Sequence, residues 1–208
     1  MSESSALPRQ FFARPPTAVS RDMLGCHLVS AKGDVVTAGR IVETEAYHGP
    51  DDLASHAASR RTGRVEAMYG DVGLAYVYRS YGMHVMLNVV AHEPGGIGAI
   101  LIRALEPFTG LDAMRERRGV AEARLFCAGP GRLCQALGIE MEDHGRDLCT
   151  DPLLCIRTGG AMPQVLVSGR IGVSRGDQDL WRYFEAESRY VSAHRRGVPY
   201  DLDTDQTG

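Results

Sequence analysis

Alternation of apolar and polar positions dominates the first half of the chain. Residues 83–90, MHVMLNVV, show it plainly: Met83, Val85, Leu87 and Val89 fall on one side, and His84, Met86 and Asn88 on the other. A period of two is the mark of a β-strand with unlike faces. Similar signals cover residues 24–30, 34–47, 74–79 and 98–105, and VLVSGRIGVS (165–174) returns to strand. Residues 181–192 read as extended or mixed. Ser80-Tyr81-Gly82 separates two strands as a hairpin turn, with Gly82 able to take a positive φ. Helical patterns are fewer. They predict helices over Thr17–Leu24, over Leu111–Arg118 with Thr109 as its cap, and over Arg132–Leu137. The last is preceded by Gly129-Pro130-Gly131 and closed by Gly138.

These elements sum to an α+β fold: a curved, largely antiparallel sheet with flanking helices and a protruding hairpin. Nothing in the pattern suggests the Gly-rich turn of a dinucleotide-binding unit. The 208 residues suit a single domain, 1–208, with loose ends at about 1–8 and 197–208. No apolar run approaches the roughly 20 residues of a membrane span, and MSESSALPRQFF has no signal-peptide core. A cytoplasmic monomer without membrane contact is the expectation.

Composition changes this picture little. The five cysteines are odd in number and form no Cys-x-x-Cys pair, so they read as reduced packing residues. No metal-binding motif occurs, and neither a metal nor a cofactor is expected. The net charge of −3 does not announce a nucleic-acid binder. Its distribution says more. Lys32 is the one lysine, and arginines cluster at 60, 61 and 64, at 115, 117 and 118, and at 195 and 196. Those clusters fit a local basic face or ordinary solvated surface charge about equally well.

The chemistry gathers in IVETEAYHGPDDLASH (41–56). As a strand it sets Ile41, Glu43, Glu45 and Tyr47 on one face, with alternate Cα atoms about 7 Å apart. His56 follows past a Gly-Pro-Asp-Asp turn. A glutamate in an apolar strand is costly unless it is paired or hydrogen-bonded. Each acid is therefore either half of an ion pair, with Arg103 in AILIRALEP as the natural partner, or a general base. Tyr76 and Tyr78 share a strand face, and with Tyr47, Arg79 and Arg103 they would suit a planar, electron-poor ligand. Tyr81 fits a packing role badly, since a hairpin tip offers little to pack against. Wedge residues that enter a base stack look like this.

The motifs RIVETEAYHGPDDLASH, AYVYRSYGMHVMLNVV, GAILIRALEP, GPGRLCQALGI and SGRIGVS occur in this order. Together they resemble the alkyladenine (3-methyladenine) DNA glycosylase family over about Leu7 to Ser192. The resemblance implies a monofunctional enzyme that flips a damaged purine from duplex DNA and hydrolyses its N-glycosidic bond. The substrates implied are alkylated purines of the 3-methyladenine type, and hypoxanthine or ethenoadenine. Carried over by motif, Glu45 would activate the water, held also by Arg103 and the backbone carbonyl of Ile171. Tyr47, His56 and Tyr78 would enclose the base. Asn88 would exclude guanine, and Tyr81 would fill the gap in the duplex. Arg64 and Arg132 would meet the DNA backbone. Residues 62–65 read Thr-Gly-Arg-Val where family members often have Thr-Pro-Arg-Asn. Glu43 has no role in the motif and reads as an ion pair that supports the strand. A lyase would need an amine nucleophile, and Lys32 lies away from every motif. The alternative is a nucleic-acid-binding module of the same fold without chemistry.

Overall fold

The computed structural model describes residues 5–58, 63–161, 163–176, 178–192 and 196–200. Its elements, in chain order, are α1 (Arg9–Phe12), α2 (Pro16–Asp22), β1 (His27–Lys32), β2 (Val35–Tyr47), β3 (Ala75–Ser80), β4 (His84–Val90) and β5 (Ala99–Thr109). Then come α3 (Leu111–Arg118), α4 (Pro130–Leu137), β6 (Leu154–Arg157), β7 (Val165–Ser168), β8 (Arg182–Glu185) and β9 (Val198–Pro199). The fold is α+β, with a large antiparallel sheet that does not close.

The sheet is organised by β2, whose 13 residues are too many for one neighbour on each side. One edge pairs with β5 from Ala38 to Tyr47. The other edge changes partner: residues 35–40 pair with β1, and Glu43–Glu45 pair with β8. The fork is at Ile41. Its N–H donates to the Cys26 carbonyl (2.8 Å), and its own carbonyl accepts from Gly25 (2.9 Å). The main path then runs β3-β4-β5-β2-β8-β7-β9, with β1 and β6 on the branch. Gly39 allows the close approach of β5, since a Cβ there would sit 2.9 Å from that of Leu105.

The main core lies where the sheet meets the helices. Ile41, Ala46, Val77, Leu87, Val89, Ile100 and Ile102 pack with Val19 of α2 and with Leu133, Cys134, Ala136 and Leu137 of α4. Burying a leucine or valine of this kind contributes about 1.5–3 kcal/mol. Among the described residues, no helix is long and apolar enough to cross a membrane.

Several expectations need correction. Ile41 does not share a side with Glu43. It lies in the main core with Ala46, because the β2–β5 register shifts between Ile41 and Thr44. Such a bulge breaks the period of two. Thr109 ends β5 instead of capping α3, whose N-cap is Gly110 at φ 73°. The strand over 165–174 stops at Ser168. The ends are less loose than expected: the Leu7 N–H bonds the Ile156 carbonyl (2.8 Å), and β9 pairs with β7. Strand β6, helix α1 and the one-to-two-turn 3-10 segments at 56–58 and 63–69 were not foreseen. They are too short to carry a period.

Candidate active site

Strand register brings the site residues together. Tyr76 on β3 pairs with Asn88 on β4, Asn88 with Leu101 on β5, and Leu101 with Glu45 on β2. Four residues distant in sequence thus form one row across the sheet, about 4.8 Å apart from strand to strand. Tyr78 opposite Met86 and Ala99 opposite Tyr47 make the flanking rows. Over these rows opens a cavity of about 390 Å³. Its wall includes Tyr47, His56, Tyr76, Tyr78, Asn88 and Arg103, with Ile171 and Tyr81 at other points of the lining. The size suits a small planar ligand.

Glu45 is wholly buried just behind this wall. Its Oε1 accepts the Ile171 N–H (2.7 Å), and its Oε2 accepts the Tyr47 hydroxyl (2.8 Å) and Arg103 Nη1 (3.0 Å). All three donors line the cavity. Arg103 reaches both acids because it is the extra residue of the bulge. Glu43 pairs with Ala104 and Thr44 with Ile102, so Arg103 has no partner in that ladder. A bulge re-aims a side chain in this way. Burial opposes the charge on Arg103, but the carboxylates of Glu45 and Glu43 outweigh it and hold the guanidinium above its ordinary range. Burial also raises the Tyr47 phenol well above 10, helped by the Glu45 charge, so it stays a proton donor.

Glu43 proves to be the supporting ion pair. Its Oε1 accepts from Arg103 Nε (3.0 Å), Arg182 Nε (2.7 Å) and the Ser192 hydroxyl (2.8 Å), and its Oε2 accepts the Ser192 N–H (2.7 Å). Burial would push its carboxyl up, but Arg103 and Arg182 bring it below the usual carboxylate range.

The other expected residues fall as follows. His56 bonds the Tyr76 hydroxyl through Nδ1 (2.8 Å), and its ring meets Tyr78 edge-on at 4.6 Å. Asn88 donates through Nδ2 to the Tyr76 carbonyl (3.0 Å), which fixes its amide against the cavity floor. Tyr81 is 89% exposed at the hairpin tip. It has a φ of 49°, and Gly82 one of 72°, while the Met83 N–H donates to the Ser80 carbonyl (3.1 Å). Two positive φ values in sequence mark a type I′ turn, a geometry a tyrosine adopts only under strain. Among the described residues Tyr81 is the one non-glycine with positive φ. Arg132 stands apart from this cavity. It lines a neighbouring cleft of about 420 Å³ that shares Met86, Arg103, Pro130 and Ile171 with the first. The Arg64 side chain and Thr62 lie outside the described residues. Among the described residues, no cluster of His, Cys, Asp and Glu is placed to hold a metal ion.

Ile171 meets Glu45 through its N–H, where the carbonyl was the anticipated group, because residues 170–174 leave the sheet. The sequence reading missed Asp52 and Arg170, which flank this loop and join β2 to it by a bidentate ion pair. A charged pair between Pro-Asp-Asp and a Gly-Arg-Ile run leaves no periodic signal.

Residues 10–189 match the family model described as methylpurine-DNA glycosylase. Three similar relatives all carry the provisional name 3-methyladenine DNA glycosylase. The protein of Granulibacter bethesdensis is 46% identical over 92% of this chain and 90% of its own. That of Rhizobium etli is 48% identical over 88% and 87%. That of Carboxydothermus hydrogenoformans is 42% identical over 89% and 98%.

Proposed function

The chain belongs to the methylpurine-DNA glycosylase family, and on that premise we propose that it excises 3-methyladenine-type purines from duplex DNA by hydrolysis at Glu45. The damaged nucleotide turns out of the helix into the 390 Å³ cavity. Tyr47, His56 and Tyr78 enclose its base, and Tyr81 takes the vacated place in the stack. A water held by Glu45, Arg103 and the Ile171 carbonyl attacks C1′ of the sugar. Glu45 accepts the water's proton, the N-glycosidic bond breaks, and its electron pair leaves with the base. An abasic site and a free purine result. Alkylated purines carry positive charge and leave readily. Hypoxanthine and ethenoadenine are neutral and need a hydrogen bond at the base, the part we assign to His56 of the cavity wall.

The observation that carries this reading is the environment of Glu45. A buried carboxylate with three donors from the cavity wall is held in place and aimed. Hydrogen bonds in a free enzyme tighten or exchange when substrate arrives, so a water displaces the Tyr47 hydroxyl or joins it at Oε2. Lys32, the one lysine, is paired with buried Asp143 and is absent from the cavity wall. That supports a monofunctional enzyme without lyase activity.

Duplexes bearing 3-methyladenine-type lesions, hypoxanthine or ethenoadenine test the proposal. Incubation followed by alkali should cut the strand at the lesion, and incubation alone should not. Binding without excision would reduce the protein to a nucleic-acid-binding module. Cutting without alkali, with borohydride trapping of the enzyme, would make it a lyase.

A further inference from the structure

The side chain of Arg170 is fully enclosed beside the site, and it does not line the cavity. Its Nη1 donates to Asp52 Oδ2 (2.6 Å) and to the Ala46 carbonyl (3.1 Å). Its Nη2 donates to Asp52 Oδ1 (2.8 Å) and to the Gly176 carbonyl (3.1 Å). The guanidinium lies between two rings, 4.8 Å from the centroid of Tyr47 and 4.8 Å from that of Trp181. Gly176 makes room for it: a Cβ there would come within 2.9 Å of Nη2.

One side chain therefore ties four segments: the end of β2, the turn after it, the loop through Gly176 and the start of β8. The turn is organised by the same carboxylate, since Asp52 also accepts the His48 N–H (3.0 Å) and the Ala54 N–H (3.0 Å). Beyond that turn lies His56. Next to Arg170 in the chain is Ile171, whose N–H meets Glu45 at 2.7 Å. Under the guanidinium of Arg170 is the ring of Tyr47, whose hydroxyl meets the same carboxylate at 2.8 Å. Two of the three donors to Glu45 thus hang from one residue. A lysine has neither the flat faces nor the forked donors for these contacts.

We propose that Arg170, clamped between Tyr47 and Trp181 and locked to Asp52, is a positioning residue that fixes the Ile171 N–H and the Tyr47 hydroxyl on Glu45. The proposal rests on the glycosylase reading for its consequence, and on geometry for its substance. Misplacing reactive groups by about an ångström costs up to roughly a hundredfold in rate.

The variant Arg170→Lys tests it, with Asp52→Asn as the milder second. Excision is measured in single turnovers with enzyme in saturating excess, where the rate constant does not depend on the folded fraction. Arg170→Lys should lower that constant by about ten- to a hundredfold, with affinity for lesion-bearing duplex changed less than about threefold. Asp52→Asn should lower it by a smaller factor. A crystal structure of Arg170→Lys should show the Ile171 N–H withdrawn from Glu45. An unchanged rate constant with only a lower amplitude or melting temperature makes Arg170 scaffold and overturns the proposal. So does an unmoved Ile171–Glu45 contact, or failure of both variants to fold. If the wild-type protein excises no lesion, the glycosylase reading falls by itself, and the crystal structure still decides the placement of Ile171.

Discussion

Glu43 and Glu45 divide a single guanidinium: Arg103 gives Nε to the first and Nη1 to the second, each at 3.0 Å. The two acids look alike in the sequence and differ in their surroundings. Glu43 is saturated by Arg182 and Ser192, neither of which lines the cavity, while every donor to Glu45 belongs to the cavity wall. Glu45→Gln should therefore lower single-turnover excision by about 10²–10⁴, the usual contribution of a general base. Arg103 keeps Glu43 in this variant, so the loss of stability should stay below the about 3–5 kcal/mol of a fully orphaned buried charge. Glu43→Gln leaves two arginines short of a carboxylate and should cost more. Urea titrations rank the two, and wild-type excision by Glu45→Gln would refute its assignment.

Tyr81 gives a prediction in which stability and function separate. Its ring lies in solvent, so Tyr81→Ala should change stability by no more than about 0.5 kcal/mol. In the complex, loss of base–aromatic stacking should weaken nucleotide flipping by about 1–3 kcal/mol. The measurement is the ratio of duplex to single-strand excision for the variant against wild type. A ratio that does not fall, or a variant that unfolds, makes Tyr81 a packing residue.

Asn88 is held by its bond to the Tyr76 carbonyl with its amide on the cavity floor. A purine with a 2-amino group should clash there. Asn88→Ser and Asn88→Ala should remove guanine-derived bases faster and discriminate less against normal guanine. The amide is buried and makes one bond to the backbone, so truncation should also cost about 1 kcal/mol. An unaltered substrate profile would place Asn88 outside the recognition surface.

Acid should loosen the ends of β2. The Asp52 carboxyl, which burial alone would raise, is brought below its ordinary range by Arg170 and by the His48 N–H. Glu43 is lowered by Arg103 and Arg182 against the same opposing burial. Depressed carboxyls contribute stability that is complete above their unfolded values of about 4 and is lost as pH falls through the folded ones. His48, kept neutral by burial, adds a loss in the same direction that begins below about 6.5. Denaturant midpoints should be flat above neutrality, decline gently below about pH 6.5 and steeply below about 4. Asp52→Asn should flatten the steep part, and an unaltered slope there would mean that the Arg170 pair contributes nothing to acid lability.

Much of this was legible in the sequence. The period of two put Tyr47 with Glu45 and set Met86 and Asn88 against Leu87 and Val89, and the structure keeps both arrangements. Motif order carried the family. What was not legible depends on pairing between distant strands. The row Tyr76–Asn88–Leu101–Glu45 is a matter of register, and the bulge that turns Arg103 to both acids shows only once β2 and β5 are aligned. The run VLVSGRIGV alternates as a strand does. It leaves the sheet at Ser168 because Arg170 finds a buried partner in Asp52, 118 positions earlier.

The span of those contacts bears on when the molecule becomes competent during synthesis. Glu45 waits for Ile171, 126 residues later, and Glu43 for Ser192, 149 residues later. Chains emerge from the ribosome N-terminus first, so the aromatic wall from Tyr47 to Asn88 is made long before either acid has its full set of donors. A nascent or truncated chain that ends before β8 has the hairpin and the wall but lacks Arg182 and Ser192, two of the three partners of Glu43. Only a chain complete through Ser192 holds both acids with their full sets of donors.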